Sequence, residues 1–210
     1  MQFAVERAVI YSAVKPLVLG SNSPRRKEFL EQLGLVFTVY GPEIDESVTP
    51  GESPAAYVER MAAEKVKKVM GIYPDHYIIG ADTSVCLGDR ILGKPESARE
   101  AVQMLMDLSG RDHVVCSGIS IGCHREQVQA VLSVSTSVVF APFDESVARA
   151  YVASGESLDK AGGYGIQGKG TFMVERINGS YSNVVGLPLM ETVSLLTSHG
   201  VIAVNDTDGP

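Results

Sequence analysis

The first strand and helix of the fold are predicted by the stretch "PLVLGSNSPRRKEFLEQLG" (Pro16–Gly34). Its apolar start is typical of a short buried strand. Ser23 is a good N-cap, Pro24 suits the first helical position and Gly34 is a fitting stop, so a helix should follow after a short loop. Anion sites often form where a strand passes through such a loop into the N-terminus of a helix.

The rest of the chain mixes strands and helices without strict alternation. Cap and stop residues predict further helices at about 53–70, 97–108, 144–154 and 188–198. Apolar runs predict strands at about 36–40, 76–87, 90–92, 113–122, 128–140 and 171–177. We therefore expect an α/β fold with a mixed sheet rather than a doubly wound one.

The composition suits one globular domain with a sizeable core. The chain has 210 residues, of which 45% are hydrophobic. Its formal net charge of −7 argues against a nucleic-acid polymer as a partner, because a duplex-binding face usually needs a basic surplus. A few well-placed cations can still hold a small anion such as a free nucleotide.

Cysteine usage and hydropathy favour a cytoplasmic protein. Cys86, Cys116 and Cys123 lack Cys-x-x-Cys spacing and are typical of reduced residues that pack in a core. The N-terminus carries Glu6 and Arg7 and makes a poor signal peptide. No apolar run in the sequence is long enough to span a membrane, so we expect no membrane partner.

One lysine falls on the apolar stripe of the second predicted helix. At about 100° per residue, Val58, Met61 and Val69 share one face, and Lys65 projects onto the middle of that face. Lys67 projects onto the opposite side. A lysine on a core-facing stripe either snorkels to solvent or meets an anion, and the pattern alone leaves both readings open.

The first predicted helix shows the same anomaly. Arg26 projects onto its apolar face and Arg25 onto the flank of that face. Both positive charges lie in the first turn, where they oppose the helix dipole. A salt bridge to a neighbouring carboxylate would explain them, but we favour an anion site that also uses the hydroxyls of Ser21 and Ser23.

Carboxylates and a further lysine occur where phosphate chemistry would need them. Asp82 lies inside the apolar run "YIIGADTSVCL". A carboxylate there either has a hydrogen-bonding partner and a structural role, or it has a function. Glu46 lies in an acidic loop, and Lys94 in "LGKP" is either solvated or at the lip of a cleft. Carboxylates suit hard divalent cations, whereas Arg and Lys suit phosphates. Together they indicate metal-assisted chemistry on a polyphosphate.

A late glycine-rich stretch, "GGYGIQGKGT" (Gly162–Thr171), resembles a P-loop in its spacing. Gly163, Gly168 and Lys169 fit G-x-x-x-x-G-K, but Gly170 stands where the motif needs Ser or Thr. The stretch also precedes a predicted strand instead of a helix. We therefore disfavour a P-loop, and we interpret Lys169 as a solvated surface lysine.

Seven blocks, in order, closely resemble the Maf family of septum-formation-inhibitor-like nucleoside triphosphate pyrophosphatases. They are "SNSPRR", "EIDE", "AAEKV", "GADTSV", "LGKP", "LDKAGGYGIQG" and "INGSYSNVVGLPL". The resemblance covers nearly everything from Leu17 to about Val201. It implies a single Maf-like catalytic domain at 17–203, with an N-terminal extension at 1–16 and a C-terminal tail at 204–210.

The resemblance also implies an architecture and a reaction. The fold would be an elongated, twisted mixed sheet with flanking helices and a cleft between two lobes, like that of inosine triphosphate pyrophosphatases, and usually a homodimer. The reaction would be hydrolysis of a nucleoside triphosphate to the monophosphate and pyrophosphate. It would use a divalent metal, Mg²⁺ or Mn²⁺ and in some cases Co²⁺.

Residues that match the family's site can be named in this sequence. They are Ser21, Arg26, Glu46, Lys65, Asp82 and Lys94, with Lys160 as an addition from "LDKAGGYGIQG". Asp82 would act as general base on a water that attacks the α-phosphorus, and Asp82 and Glu46 would hold the metal. The cationic side chains would neutralise the phosphates and the departing pyrophosphate.

Three further matching positions imply the nucleobase. Arg25, Thr83 and Gln167 correspond to positions that separate dTTP/UTP pyrophosphatases from members that act on 7-methyl-GTP, and all three agree with the dTTP/UTP type. A glutamine amide can offer a donor and an acceptor to a thymine or uracil edge. The alternatives are a 7-methyl-GTP pyrophosphatase and a nucleotide-sensing regulator of cell division and septum formation.

Overall fold

The computed structural model of the chain describes residues 9–205. Its strands are β1 (Tyr11–Ala13), β2 (Leu17–Leu19), β3 (Thr38–Val39), β4 (Tyr77–Leu87), β5 (Arg90–Leu92), β6 (Asp112–Cys123), β7 (Val128–Phe140), β8 (Val174–Asn178) and β9 (Ile202–Val204). Its α-helices are α1 (Pro24–Gln32), α2 (Pro54–Met70), α3 (Ala98–Leu108), α4 (Glu145–Ala153), α5 (Tyr181–Val185) and α6 (Leu189–Ser198). Residues 1–8 of the expected extension and 206–210 of the expected tail lie outside the described residues.

One mixed sheet forms the centre of the fold. Its strand order is β3-β2-β4-β6-β7-β8, and β5 also pairs with β4. Strand β2 runs parallel to both β3 and β4, whereas the later pairings are antiparallel. The mixed α/β fold expected from the sequence is therefore confirmed. Strands β1 and β9 form a separate antiparallel pair, so part of the expected extension and the first residue of the expected tail are built into structure.

The sheet buries two large apolar clusters that meet along β4. One cluster packs α1 and α6 against the sheet and includes Leu30, Ala81 and Ile119. The other packs α3 and α4 against the sheet and includes Val85 and Phe140. Since Ala81 belongs to the first cluster and Val85 to the second, the residues between them on β4 lie at the junction of the two clusters.

Local sequence signals located the helices better than the short elements. Ser53, Ser97 and Asp144 are N-caps whose side chains accept a backbone N–H of the first turn, as their sequence contexts predicted. The strand predicted at 171–177 is wrong in its first part, because Gly168–Met173 forms 3₁₀ turns and β8 begins only at Val174. The five-residue helix α5 was not predicted from its sequence.

Helix α2 packs very closely against β4 and β6. A Cβ atom built on Gly118 would lie 2.1 Å from the carbonyl oxygen of Val58, and one built on Gly80 would lie 2.5 Å from that of Ala62. Real Cβ atoms essentially never come so close to backbone, so only glycine allows the helix to reach this depth. The contact brings Lys65, in the middle of α2, onto the surface of the sheet.

We expect Gly118→Ala to destabilise the fold, because the new methyl group would push α2 away from the sheet. Overpacking of this kind costs about 1–3 kcal/mol, and backbone contacts place the change at the upper end. Gly93→Ala is the matched control, since a Cβ there meets open space at an ordinary φ. Urea denaturation of both variants measures the difference, and equal stabilities would contradict the close packing.

Candidate active site

A cleft of about 750 Å³ opens beside β4. Its walls come from the β2–α1 loop, the acidic loop before α2, β4, the glycine-rich stretch 161–168 and the end of α5. All ten residues that the sequence predicted as site residues line this cleft: Ser21, Arg25, Arg26, Glu46, Lys65, Asp82, Thr83, Lys94, Lys160 and Gln167. The structure thus brings the whole set into one cavity, while their individual roles stay predictions.

Lys65 lies between two carboxylates in the floor of the cleft. Its Nζ atom is 2.6 Å from Oδ1 of Asp82 and 3.0 Å from Oε1 of Glu46. Lys65 is only 8% exposed, so the choice between snorkelling and an anionic partner is decided in favour of the anion. A buried ammonium without such partners would be strongly unfavourable.

Glu46 is the more exposed of the two carboxylates, and its charge is stabilised by the cleft. Burial raises the pKa of Glu46, but attraction to Lys65, with smaller contributions from Lys94 and Arg26, outweighs burial and leaves the pKa below its ordinary value. Glu46 therefore stays ionised at neutral pH and faces the cleft with about half of its side chain exposed.

The donor set fits a divalent cation that also binds substrate. Asp82 and Glu46 both contact the ammonium group of Lys65, so two carboxylates lie close together in the floor of the cleft. Within residues 9–205 no cluster of three or more His, Cys, Asp or Glu side chains could hold a metal ion. Mg²⁺ is commonly held by one or two carboxylates together with water and substrate phosphates, which is the kind of site that this pair could provide.

Arg26 is almost fully engaged by the protein. Its acceptors are the carbonyl oxygens of Gly186 (2.8 Å) and Ala81 (2.8 Å) and the hydroxyls of Ser21 (3.0 Å) and Thr83 (3.2 Å). A guanidinium has five N–H donors, so these four bonds leave one N–H without an acceptor among the described residues. The sequence suggested either a salt bridge or an anion site here. The structure shows no salt bridge of Arg26 within residues 9–205 but four neutral acceptors, and anion binding stays a prediction.

The contacts of Arg26 hold β4 on both sides of Asp82. Ala81 and Thr83 are the residues immediately before and after Asp82, and both accept hydrogen bonds from the same guanidinium. The fixed fork of an arginine makes such a double contact rigid. Arg26 thus positions the expected catalytic carboxylate, in addition to any contact with a phosphate.

Thr83 belongs to a buried hydrogen-bond chain that the sequence did not reveal. Its Oγ1 accepts from Arg26 and lies 2.9 Å from Oγ of Ser117, which donates to the main-chain oxygen of Asn183 at 3.2 Å. Because Ser117 donates onward, it can only accept from Thr83, whose hydroxyl also lies 3.3 Å from the carbonyl oxygen of Gly186. Ser117 and Asn183 are fully buried. Ser117 lies opposite Thr83 in the β4–β6 register, so a serine in an apolar strand was the one available signal.

Two predicted cations on the far side of the cleft share one carboxylate. Asp159 Oδ2 is 3.5 Å from Nη1 of Arg25, and Asp159 Oδ1 is 2.6 Å from Nζ of Lys160. Lys160 also donates to the main-chain oxygen of Glu156 at 2.7 Å. Burial raises the pKa of Asp159, but Lys160 and Arg25 outweigh burial and lower it overall. Asp159 was missed by sequence reasoning, although it lies beside Lys160 in "LDK".

The glycine-rich stretch does not have the structure of a P-loop. The hydroxyl of Thr171 lies 2.8 Å from the carbonyl oxygen of Ile166 and 2.7 Å from that of Gly168, so it closes the loop on itself. Lys169 is exposed, as predicted, and is not among the residues that line the cleft. Gln167 lines the cleft instead.

A family model described as Maf-like protein matches residues 16–199. The chain belongs to the Maf family. This confirms the resemblance seen in the seven sequence blocks. None of the helices described in residues 9–205 of this Maf protein is long and apolar enough to cross a membrane.

Curated Maf relatives match most of the chain, and each carries the name dTTP/UTP pyrophosphatase. The protein from Desulfotalea psychrophila is 53% identical over 195 residues, which cover 93% of this chain and 100% of that protein. The one from Myxococcus xanthus is 49% identical over 185 residues, covering 88% and 93%. The one from Acinetobacter baylyi is 48% identical over 178 residues, covering 85% and 96%.

A solved structure gives a weaker likeness. The Staphylococcus aureus Ham1 protein aligns with a TM-score of 0.45 and 18% identity, covering 76% of this chain and 80% of that one. A likeness at this level carries no argument about site or function.

We expect Arg26→Lys to lower the free energy of unfolding by about 1–3 kcal/mol, because a lysine cannot reach all four acceptors and leaves some of them without a partner. Arg25→Lys is the matched control in the same helical turn. It loses only one partly exposed ion pair, so we expect a change of about 1 kcal/mol or less. Denaturant titrations measure both, and equal losses would contradict the positioning role of Arg26.

Proposed function

We propose that this Maf protein hydrolyses dTTP and UTP to the nucleoside monophosphate and pyrophosphate with the help of a divalent metal. The proposal depends on the cleft in which Asp82 and Glu46 converge beside the buried Lys65. A carboxylate pair among several cations is the set that metal-assisted attack on a polyphosphate needs. The names of relatives that cover most of the chain support the choice of substrate.

The chemical step would use Asp82 as the general base. Its carboxylate would accept a proton from a water molecule while the water oxygen bonds to the α-phosphorus. The bond from the α-phosphorus to the bridging oxygen would then break, and pyrophosphate would leave. Lys65 holds the carboxylate of Asp82 at 2.6 Å, which would limit its rotation during the transfer.

The remaining charged groups would bind the phosphates. Asp82 and Glu46 would hold the metal, which when bound supplies positive charge to the phosphate oxygens. Lys94 and Lys160 line the cleft and would offset the negative charge that develops on the departing pyrophosphate. Arg26 could add its one remaining N–H.

Base selection would depend on the opposite wall. Gln167 lines the cleft, and within residues 9–205 its amide makes no hydrogen bond, so a donor and an acceptor are both open to a ligand. Thr83 has its hydroxyl proton bound inside the protein and would contribute mainly by shape. The homodimer implied by the family resemblance stays a prediction.

We expect the purified protein with Mg²⁺ or Mn²⁺ to release pyrophosphate from dTTP and UTP, and much less from ATP or GTP. Chelation with EDTA should stop the release, and added metal should restore it. A pyrophosphate assay over these nucleotides and 7-methyl-GTP provides the measurement. Nucleotide binding without any turnover would favour a sensing role, and a preference for 7-methyl-GTP would overturn the substrate proposed here.

We expect Asp82→Asn to lower kcat by about 10²–10⁴-fold, because the amide cannot accept the proton of the attacking water. Nucleotide binding, measured by calorimetry, should persist. Asp89→Asn is the matched control, since Asp89 is exposed in the turn after β4 and does not line the cleft. Retained turnover in Asp82→Asn would remove Asp82 as the base.

A further inference from the structure

A buried hydrogen bond reaches the glycine-rich wall from outside the cleft. Tyr164 lines the cleft, and its hydroxyl lies 2.7 Å from Nε2 of His113 on β6. Both residues are nearly inaccessible, with 5% and 2% of their surfaces exposed. Buried polar atoms need a partner, and the tyrosine hydroxyl and Nε2 of His113 provide one for each other, whereas Nδ1 of His113 has none within residues 9–205.

The rings around this hydrogen bond are packed edge to face. The ring centre of Phe140 lies 4.8 Å from that of His113, at an interplanar angle of 85°, and 4.6 Å from that of Tyr164, at an angle of 73°. Such geometry is favourable for aromatic pairs and restricts the tilt of each ring. Burial lowers the pKa of His113 to about 4, so the imidazole is neutral at ordinary pH and the hydrogen bond is present throughout that range.

The anchored tyrosine lies inside the segment that lines the base side of the cleft. Gln167 follows three residues after Tyr164, and the intervening chain is held at Gly165, whose N–H donates to the hydroxyl of Tyr151 at 3.1 Å. Gly162 and Gly163 precede Tyr164 with positive φ values of 66° and 72°. A segment this rich in glycine has little intrinsic stiffness, so its anchors determine its shape.

We propose that His113 is a positioning residue for nucleobase selection: through Tyr164 it holds the glycine-rich segment so that the amide of Gln167 meets the base in one orientation. The inference rests on the function proposed above. Within residues 9–205, His113 makes no hydrogen bond to any residue on the phosphate side of the cleft. In the part of the chain that the structure describes, Tyr164 makes no hydrogen bond to Asp82, Glu46 or Lys65, and it reaches β4 only through apolar packing with Val85.

The test compares variants that remove or retain the hydrogen bond. Tyr164→Phe removes the hydroxyl and keeps the ring, and His113→Leu removes the partner. His113→Gln keeps a polar group near the position of Nε2 and should rescue. Tyr77→Phe is the matched control, because it removes a buried tyrosine hydroxyl that binds Glu126 and lies outside the cleft.

The expected result is a change in selection without a change in chemistry. The net free energy of one hydrogen bond corresponds to about a tenfold change in an equilibrium constant. Tyr164→Phe should therefore raise KM for dTTP by up to about tenfold. It should lower the preference for dTTP over GTP by a similar factor. Its kcat should stay within about twofold. His113→Leu should behave alike, whereas His113→Gln and Tyr77→Phe should keep the wild-type ratio.

Binding measurements separate this inference from the proposed function. Calorimetric dissociation constants of dTMP and GMP require no turnover, so the selectivity of each variant can be measured even if wild-type protein cleaves nothing. Absence of dTTP cleavage by the wild type would contradict the proposed function. Equal dTMP-to-GMP ratios in the wild type and Tyr164→Phe would overturn the role of His113, and so would a fall in kcat at constant KM. If His113→Leu does not fold, Tyr164→Phe decides.

Discussion

The depth at which α2 packs on the sheet determines where the charges of the cleft can lie. At Gly118 and Gly80 the helix backbone takes the space that any side chain would need, and this carries Lys65 into a nearly inaccessible position. An ammonium at that depth costs several kcal/mol unless a carboxylate meets it. Asp82 is the register partner of Gly118 and supplies that carboxylate. Helix packing and the ion pair therefore depend on each other.

Strand β4 is also held by Arg26, which donates to neutral acceptors. Arg26 binds main-chain and hydroxyl oxygens around Asp82, and the chain through Thr83 and Ser117 continues to Asn183 in α5. The hydroxyls of Thr83 and Ser117 each have an acceptor for their proton, and satisfied hydrogen bonds of this kind stiffen a buried polar network. The cleft floor is thus fixed before any ligand arrives, as electrostatic catalysis requires.

Sequence patterns predicted what depends on neighbours along the chain. Helix caps such as Ser53, the misplaced Lys65 and the carboxylate of Asp82 in an apolar strand were all visible as local irregularities. The partners of Arg26 could not be predicted, because Gly186 is 160 residues away and its carbonyl oxygen has no sequence signature. For the same reason the 3₁₀ turns after Gln167 were mistaken for part of a strand: hydrogen bonds from Thr171 to main-chain oxygens override its strand propensity.

The two walls of the cleft are held in place by different kinds of interaction. The wall from α2 and β4 is held by an ion pair and a guanidinium, and altering it would disturb the core of the protein. The glycine-rich wall is held by a few hydrogen bonds: between Tyr164 and His113, from Gly165 to Tyr151, and from Gly162 to the main-chain oxygen of Gly93. In the function proposed above, a ligand that contacts both walls would place its phosphates mainly against the first wall, with Lys160 reaching them from the second, and its base against Gln167. Tyr164 makes no hydrogen bond to the groups around Asp82 within residues 9–205 and reaches β4 through its packing with Val85, so a change at its hydroxyl acts first on the second wall.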